Sequence, residues 1–235
     1  PSSFPAQATT ETGTVTIVDD DGAVEWLVKD GTQLEQSAAP DSGVRLTVMR
    51  TGTEANLTAT HTINYATGAA TGASETLATS GTDFTAKSGT LTFNTTTLNE
   101  GAELSASDTT ITLLSSSGFA TGGGVITIDN EDMSYSGVTG NNLTGVVRGI
   151  NGTTAAVHTD GAGNAVNETG VYVDVVTTHD TTSEIAENFA LTLSSASAGT
   201  TIADATGIGT IIDNDASTVQ YGKAVQLQGS YYSWL

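Results

Sequence analysis

The residues best equipped for chemistry in this chain are acids, and they stand where apolar strands end. Thr12-Gly13-Thr14-Val15-Thr16-Ile17-Val18 closes on Asp19, Asp20 and Asp21. A near copy, Thr206-Gly207-Ile208-Gly209-Thr210-Ile211-Ile212, closes on Asp213, Asn214 and Asp215. A third cluster, His179-Asp180 with Glu184 and Glu187, follows the apolar run at 171–176. Strands ending this way bring carboxylates together at one pole of a sheet, where they repel each other. A hard divalent cation relieves that repulsion, and Ca2+, which takes about six to eight oxygen ligands, suits it best.

Other chemistries fit poorly. The chain has no cysteine, so a disulfide scaffold, a thiolate site and a cysteine nucleophile are excluded. His61, His158 and His179 are scattered and lack zinc-ligand spacing. Gly122-Gly123-Gly124 has no following Lys-Ser/Thr and reads as a turn. A glycosidase pair needs one acid held against an apolar wall, whereas these acids adjoin Gly, Thr and each other. The reading is therefore non-enzymatic. With 6 Lys+Arg against 26 Asp+Glu and a formal charge of -20, nucleic acid and anionic membrane are poor partners. No apolar run approaches a membrane span. The lack of cysteine does not exclude secretion, since a large core or bound metal can replace disulfides, and a lysine-poor chain rich in Thr, Ser, Gly and Asn looks like an extracellular or cell-surface protein of bacterial type. It begins at Pro1 with no initiator Met, which reads as a mature or excised piece of a longer product.

The elements that must position the acids are β-strands. Val, Ile and Thr alternate in short runs bounded by Gly, Asn, Asp and Ser. Strands are predicted at 13–18, 23–28, 44–50, 59–65, 89–93, 170–176, 188–193 and 207–212, enough for a sandwich. Trp26 is expected to cover a core face. Only 183–189 has helix-compatible composition. Between Phe93 and Val171 lie further strands, at 110–114, 124–128, 132–136 and 143–147, with a tight turn at Gly140-Asn141-Asn142. Residues 102–164 therefore read as an inserted β subdomain that splits the sandwich into 22–101 and 165–215. Residues 1–21 resemble the last strand of a preceding repeat. Residues 216–235 read as a docking segment, in which Val219-Gln220-Tyr221 echoes Val24-Glu25-Trp26 and Tyr231, Tyr232 and Trp234 supply an aromatic anchor.

Five motifs in order carry a family resemblance. They are Asn64-Tyr65-Ala66-Thr67, Ser80-Gly81-Thr82-Asp83-Phe84-Thr85, Ser88-Gly89-Thr90-Leu91-Thr92-Phe93, the stretch at 184–193 with Glu187-Asn188-Phe189, and Gly209-Thr210-Ile211-Ile212-Asp213-Asn214-Asp215. On these the chain resembles the Calx-beta family, a calcium-binding, Ig-like antiparallel β-sandwich found in ion exchangers, an integrin β subunit and bacterial surface proteins. The resemblance implies Ca2+ ligands at Glu35, Asp83, Asp180, Glu184, Glu187, Asp213 and Asp215, with Thr182 where the family offers a backbone carbonyl. His179 and Asn214 stand where the family has carboxylates, which implies fewer ions or weaker binding. The complete triplet Asp19, Asp20 and Asp21 belongs to an inter-repeat site. The insertion resembles, more weakly, small β modules of phage structural and bacterial surface proteins.

Two functions follow as expectations. One is a calcium-stiffened structural subunit of an extracellular fibre or repeat-built filament. Its copies join head to tail through terminal strands, with Val15 and Ile17 setting the register. The other is a ligand-binding adhesin or accessory module with the insertion as its recognition surface; an exposed aromatic platform would favour it, and because the insertion offers only Phe119 and Tyr135 the first reading leads.

Overall fold

A computed structural model describes residues 23–35, 43–71 and 76–215. The strand predicted at 13–18, the triplet at 19–21 and the segment at 216–235 lie outside the described residues, and with them Val15, Ile17, Tyr231, Tyr232 and Trp234. The first part of the chain forms β1 (Val24–Lys29), β2 (Gly31–Leu34), β3 (Val44–Thr51), a helical turn α1 (Glu54–Leu57), β4 (His61–Ala69), β5 (Thr76–Leu77), β6 (Ser88–Phe93) and β7 (Thr95–Leu98). The middle forms β8 (Thr110–Thr112), β9 (Gly124–Ile128), β10 (Glu131–Tyr135), β11 (Gly137–Thr139) and β12 (Asn142–Thr144). The last part forms β13 (Gly161–Val175), β14 (Glu187–Ser194), β15 (Thr200–Ile202) and β16 (Thr206–Ile212).

Alternation decides most of these elements, because successive side chains of a strand face opposite ways. In β1, Val24, Trp26 and Val28 point inward while Glu25 and Lys29 face out. In β14, Phe189, Leu191 and Leu193 are inward. The strands form an all-β, Ig-like sandwich. One sheet runs β10-β9-β13-β3-β1-β15, with β7 also on β13, and the other runs β2-β16-β14-β4-β6, with β5 beside β14. Between them Trp26 meets Phe93 edge to face at 4.9 Å, and Phe84 stacks on Phe189 at 4.7 Å. Each such enclosed side chain stabilises the fold by about 1.5–3 kcal/mol.

A second core lies in the region read as an insertion. It contains Leu98, Leu104, Ile111, Leu113, Ile126, Met133 and Leu143, and also Phe119 and Tyr135. The two aromatics needed for an exposed recognition platform are therefore buried. This region also shares a sheet with the sandwich. Val166 of β13 enters the second core while Val171, Val173 and Val175 enter the first. The register of β13 on β9 shifts between Glu168 and Gly170, an irregularity that re-aims the strand between the two cores. A separate three-stranded sheet, β11-β12-β8, caps the second core. The β11–β12 connection turns at Gly140, whose φ of 59° a residue with a Cβ rarely adopts.

Polar side chains join the two cores. Fully buried Arg50 donates to the backbone oxygens of Glu168, Ala59 and Asn94 and contacts His61 Nδ1. The buried Glu168 carboxylate accepts from Tyr135 Oη and the Ala120 amide. Elsewhere in the second core, buried Glu131 takes both arms of Arg148, at 2.8 Å each, and His158 Nε2 at 2.8 Å.

The helix-compatible stretch at 183–189 forms no helix. Glu187, Asn188 and Phe189 begin β14, where pairing with β16 and the seating of Phe189 override a weak propensity. Among the described residues the one helical turn is α1, whose Thr53 makes no side-chain cap. β13 begins nine residues before the predicted strand at 170, and β2, β5, β7, β11 and β15 are too short to show a period.

Parallel pairings fix the direction of travel. Val24 pairs with Thr200 and Leu34 with Ile212, so β1–β2 and β15–β16 run the same way from pole to pole. The described chain enters the sandwich at one pole, beside Ala23, and leaves it at the other, beside Asp213 and Asp215.

Candidate metal centre

The exit pole gathers acids from four places in the sequence. Glu35 follows β2, and its amide donates to Ile212 O at 2.6 Å, which holds it beside the end of β16. Asp83 sits in a turn made by Gly81, φ 90°, with the Gly81 amide bonded to Phe84 O. Thr178 N donates to Asp83 O at 2.8 Å and ties that turn to the loop after β13. The same loop supplies Asp180 and Glu184, and Glu187 opens β14. Asp213 and Asp215 follow β16.

Two triads result. Carboxylate oxygens of Glu35, Asp213 and Asp215 lie within 4.8 Å of one another, as do those of Asp83, Glu184 and Glu187. Glu35 and Asp213 of the first triad and all three acids of the second border one small cavity, which Thr178, Ile185 and Ile211 help to line. Asp180 joins neither triad. Its amide donates to Glu35 Oε1 at 2.9 Å, and its own carboxylate takes the Thr182 amide at 2.6 Å. Thr182 thus reaches the pole as a backbone donor. Asn214 turns its side-chain amide onto the Glu35 carbonyl. Asp213 braces the loop by accepting from the Glu184 and Asp215 amides at 2.8 and 2.7 Å.

The electrostatics show what this packing asks for. Burial raises Glu187, and the neighbouring Asp83, Glu184 and Glu35 push it further, to about 7. Glu35, only 6% exposed, is raised by burial and by Asp180 and Asp215, against the Asp180 amide bond. Glu184 is raised as well, by desolvation and the surrounding acids. Asp213 is lowered, because backbone amides satisfy its charge. One oxygen, Asp215 Oδ2, is buried without a hydrogen-bond partner. Orphaned carboxylate oxygens in a crowd of like charge want a proton or a cation. An all-oxygen donor set of this kind fits a hard divalent ion.

The split into two triads and the bracing roles of Asp180 and Asn214 are not visible in the sequence. Neither is the buried set Arg50, His61, Glu168, Tyr135, although it left a trace. Arg50 continues the inward register of Val44, Leu46 and Val48, and a charge on the buried side of an alternating strand marks a core polar site.

No protein-family model matches the chain, and no curated protein matches it. Solved structures do. The chain is similar to the apo-form Calx CBD1 domain, with 13% identity and a TM-score of 0.41 over 83% of this chain and 100% of that one. It is also similar to CBD12 from CALX1.2, with 14% identity and a TM-score of 0.38 over 81% of this chain and 46% of that one. Among the described residues no helix is long and apolar enough to cross a membrane.

Proposed function

We propose that this chain is a non-enzymatic, calcium-binding structural module of Calx-beta type, working outside the cell as one unit of a head-to-tail fibre or surface array. The observation that carries the metal reading is the pair of acidic triads at the exit pole. Glu35, Asp213 and Asp215 would hold one ion and Asp83, Glu184 and Glu187 another. These ligands come from both ends of the sandwich sequence, so an ion would close long loops as well as neutralise charge. Metal binding of this kind stiffens the pole without adding a reactive group.

The array reading rests on direction. Entry at one pole and exit at the other lets units follow one another along an axis, and contacts of that sense do not close into a ring of two. The sequence duplication ending in Asp19, Asp20 and Asp21 supplies a second acidic set for the junction between neighbours. The low count of basic residues favours neither nucleic acid nor anionic membrane.

A melt with calcium and with a chelator tests the metal reading. At about a hundredfold excess over Kd, stability should rise by roughly 2.7 kcal/mol for each ion bound. Identical midpoints would refute it. Sedimentation of the full chain with calcium tests the array reading. Mass should grow with concentration, and a monodisperse monomer would refute it.

A further inference from the structure

Among the described residues the two sheets of the sandwich end in four strands, of which two are covered, one is short and one is open. β10 is covered by the backbone of Val147 and Ile150, through Val147 N to Ser134 O at 2.9 Å and Ile150 N to Asp132 O at 2.9 Å. β15 is three residues long. β2 lies against β3, with Gly31 packed on the Arg45 carbonyl so tightly that a Cβ has no room. β6 is different: it pairs with β4 alone. Thr67 N donates to Lys87 O, which sets the phase of the ladder. Tyr65–Gly89, Ile63–Leu91 and His61–Phe93 are then the hydrogen-bonded pairs, and the backbone groups of Ser88, Thr90 and Thr92 point away from the sheet. Among the described residues these six groups meet no backbone partner. β6 also carries no charge and no proline, the usual devices that blunt an edge.

The segment Thr12–Val18 is a near copy of β16, yet it cannot take the β16 seat in an identical subunit. Val15 falls where β16 has Gly209. A Cβ at Gly209 would overlap the Phe189 ring, which is fully buried and stacked on Phe84. The strand therefore needs a different place. Its alternation puts Val15 and Ile17 on one face and Thr12, Thr14, Thr16 and Val18 on the other. β6 likewise turns Leu91 and Phe93 inward, and Leu91 is only partly covered.

We propose that the open edge of β6 receives Thr12–Val18 of a second copy as an added antiparallel strand, with Val15 and Ile17 extending the apolar inner face past Leu91. A chain's own copy of the segment is the poorer occupant. Ala23 shares a cavity with His61, which pairs with Phe93, so the segment would approach from the Phe93 end and run parallel to β6. Parallel pairing is the less stable of the two per residue. This proposal rests on the assembly reading given above and names the surface that reading needs.

The test uses the full chain with calcium. Thr90→Pro removes an outward N–H and no ladder bond within the subunit, so the fold should survive with a midpoint close to that of the parent. Self-association measured by sedimentation velocity should weaken at least about tenfold. Because the chain has no cysteine, a second readout is clean. One pool carries Thr14→Cys or Thr16→Cys, the other Ser88→Cys, Thr90→Cys or Thr92→Cys, and oxidation of the mixture should join the two pools through one preferred pair. This readout also decides the matter if Thr90→Pro fails to fold. A folded Thr90→Pro chain that associates like the parent would overturn the proposal, as would disulfides that form only when both cysteines share a chain. If deleting residues 1–21 stops association but Thr90→Pro does not, the edge assignment is wrong and the array reading stands. If the parent never associates, both fall.

Discussion

Arg50 and Glu168 stand side by side at the seam of the two cores without sharing a side-chain hydrogen bond. Arg50 Nε donates to the Glu168 backbone oxygen at 2.8 Å, while the Glu168 carboxylate turns the other way, toward Tyr135 Oη at 2.8 Å and the Ala120 amide at 2.9 Å. Burial lowers Arg50 to about 10, offset in part by the Glu168 charge. Burial raises Glu168, against the Ala120 amide, Tyr135, the Asn94 amide and Arg50. The pair thus spans two cores: Arg50 organises the carbonyls of the sandwich, and Glu168 organises the second core's contact with it.

Breaking that seam should destabilise both cores at once. Tyr135→Phe removes one donor from a buried carboxylate and should cost about 1–3 kcal/mol. Arg50→Met leaves three carbonyls and a buried carboxylate uncompensated, and should cost roughly 3–5 kcal/mol. Calorimetry should show one transition moving down in each case. Two separated transitions would mean the cores fold independently.

Removing one acid should remove one ion. Isothermal titration at neutral pH should find two calcium equivalents in the parent, and one each in Glu187→Gln and Asp215→Asn, because these belong to different triads. A parent stoichiometry of one, or no heat at all, would contradict the two-site arrangement.

Much of this was legible in the residues, and what was hidden was hidden for a reason. β1, β3 and β16 announce themselves through alternation, since one face of each is the more buried, and β14 through its apolar run at Phe189, Leu191 and Leu193. The strands of the pole could be placed because Asp213 and Asp215 repeat a pattern already seen at Asp19 and Asp21. The first half of β13 could not be seen: Gly161-Ala162-Gly163-Asn164-Ala165 has no period, and pairing with β7 alone makes it a strand. The grouping of acids into triads depends on how the loop after β13 folds back, with the Glu184 amide on Asp213, which is a tertiary fact. His158 looked isolated in sequence, but it lies between Glu131 and Asp129, at 2.8 and 3.0 Å, because β9 and β10 bring those acids to it.

Acid should loosen the second core through Glu131. Burial pushes this carboxyl up, but the Arg148 fork, the Ala156 amide and His158 outweigh burial and hold it at about 2, below its ordinary 4.5. A depressed carboxyl contributes stability that is complete above its unfolded value and is lost as pH falls toward the folded one. The contribution is about 3 kcal/mol, draining away between roughly pH 4.5 and 2. Urea titrations across that window should show this slope, and Glu131→Gln should flatten it while lowering stability at pH 7 by leaving Arg148 unpaired. An unchanged acid limb in Glu131→Gln would place the effect elsewhere.

Gly209 should tolerate no side chain. It pairs directly with Phe189 across the β14–β16 ladder, and the ring lies over it, pinned from behind by Phe84. Gly209→Val writes into β16 the residue that stands at the equivalent place in the N-terminal copy, Val15. The ring cannot swing aside without leaving its stack, so overpacking should cost about 1–3 kcal/mol or more. Gly207 is crowded too, by the methyls of buried Val28 and Leu46, and there the N-terminal copy keeps a glycine, Gly13. Chemical denaturation of Gly209→Val, Phe189→Leu and the double variant closes a cycle. The double variant should recover part of the loss, with a coupling of roughly 1–3 kcal/mol. If Gly209→Val denatures like the parent, the ring is not pinned, and the exclusion of Thr12–Val18 from the β16 seat goes with it.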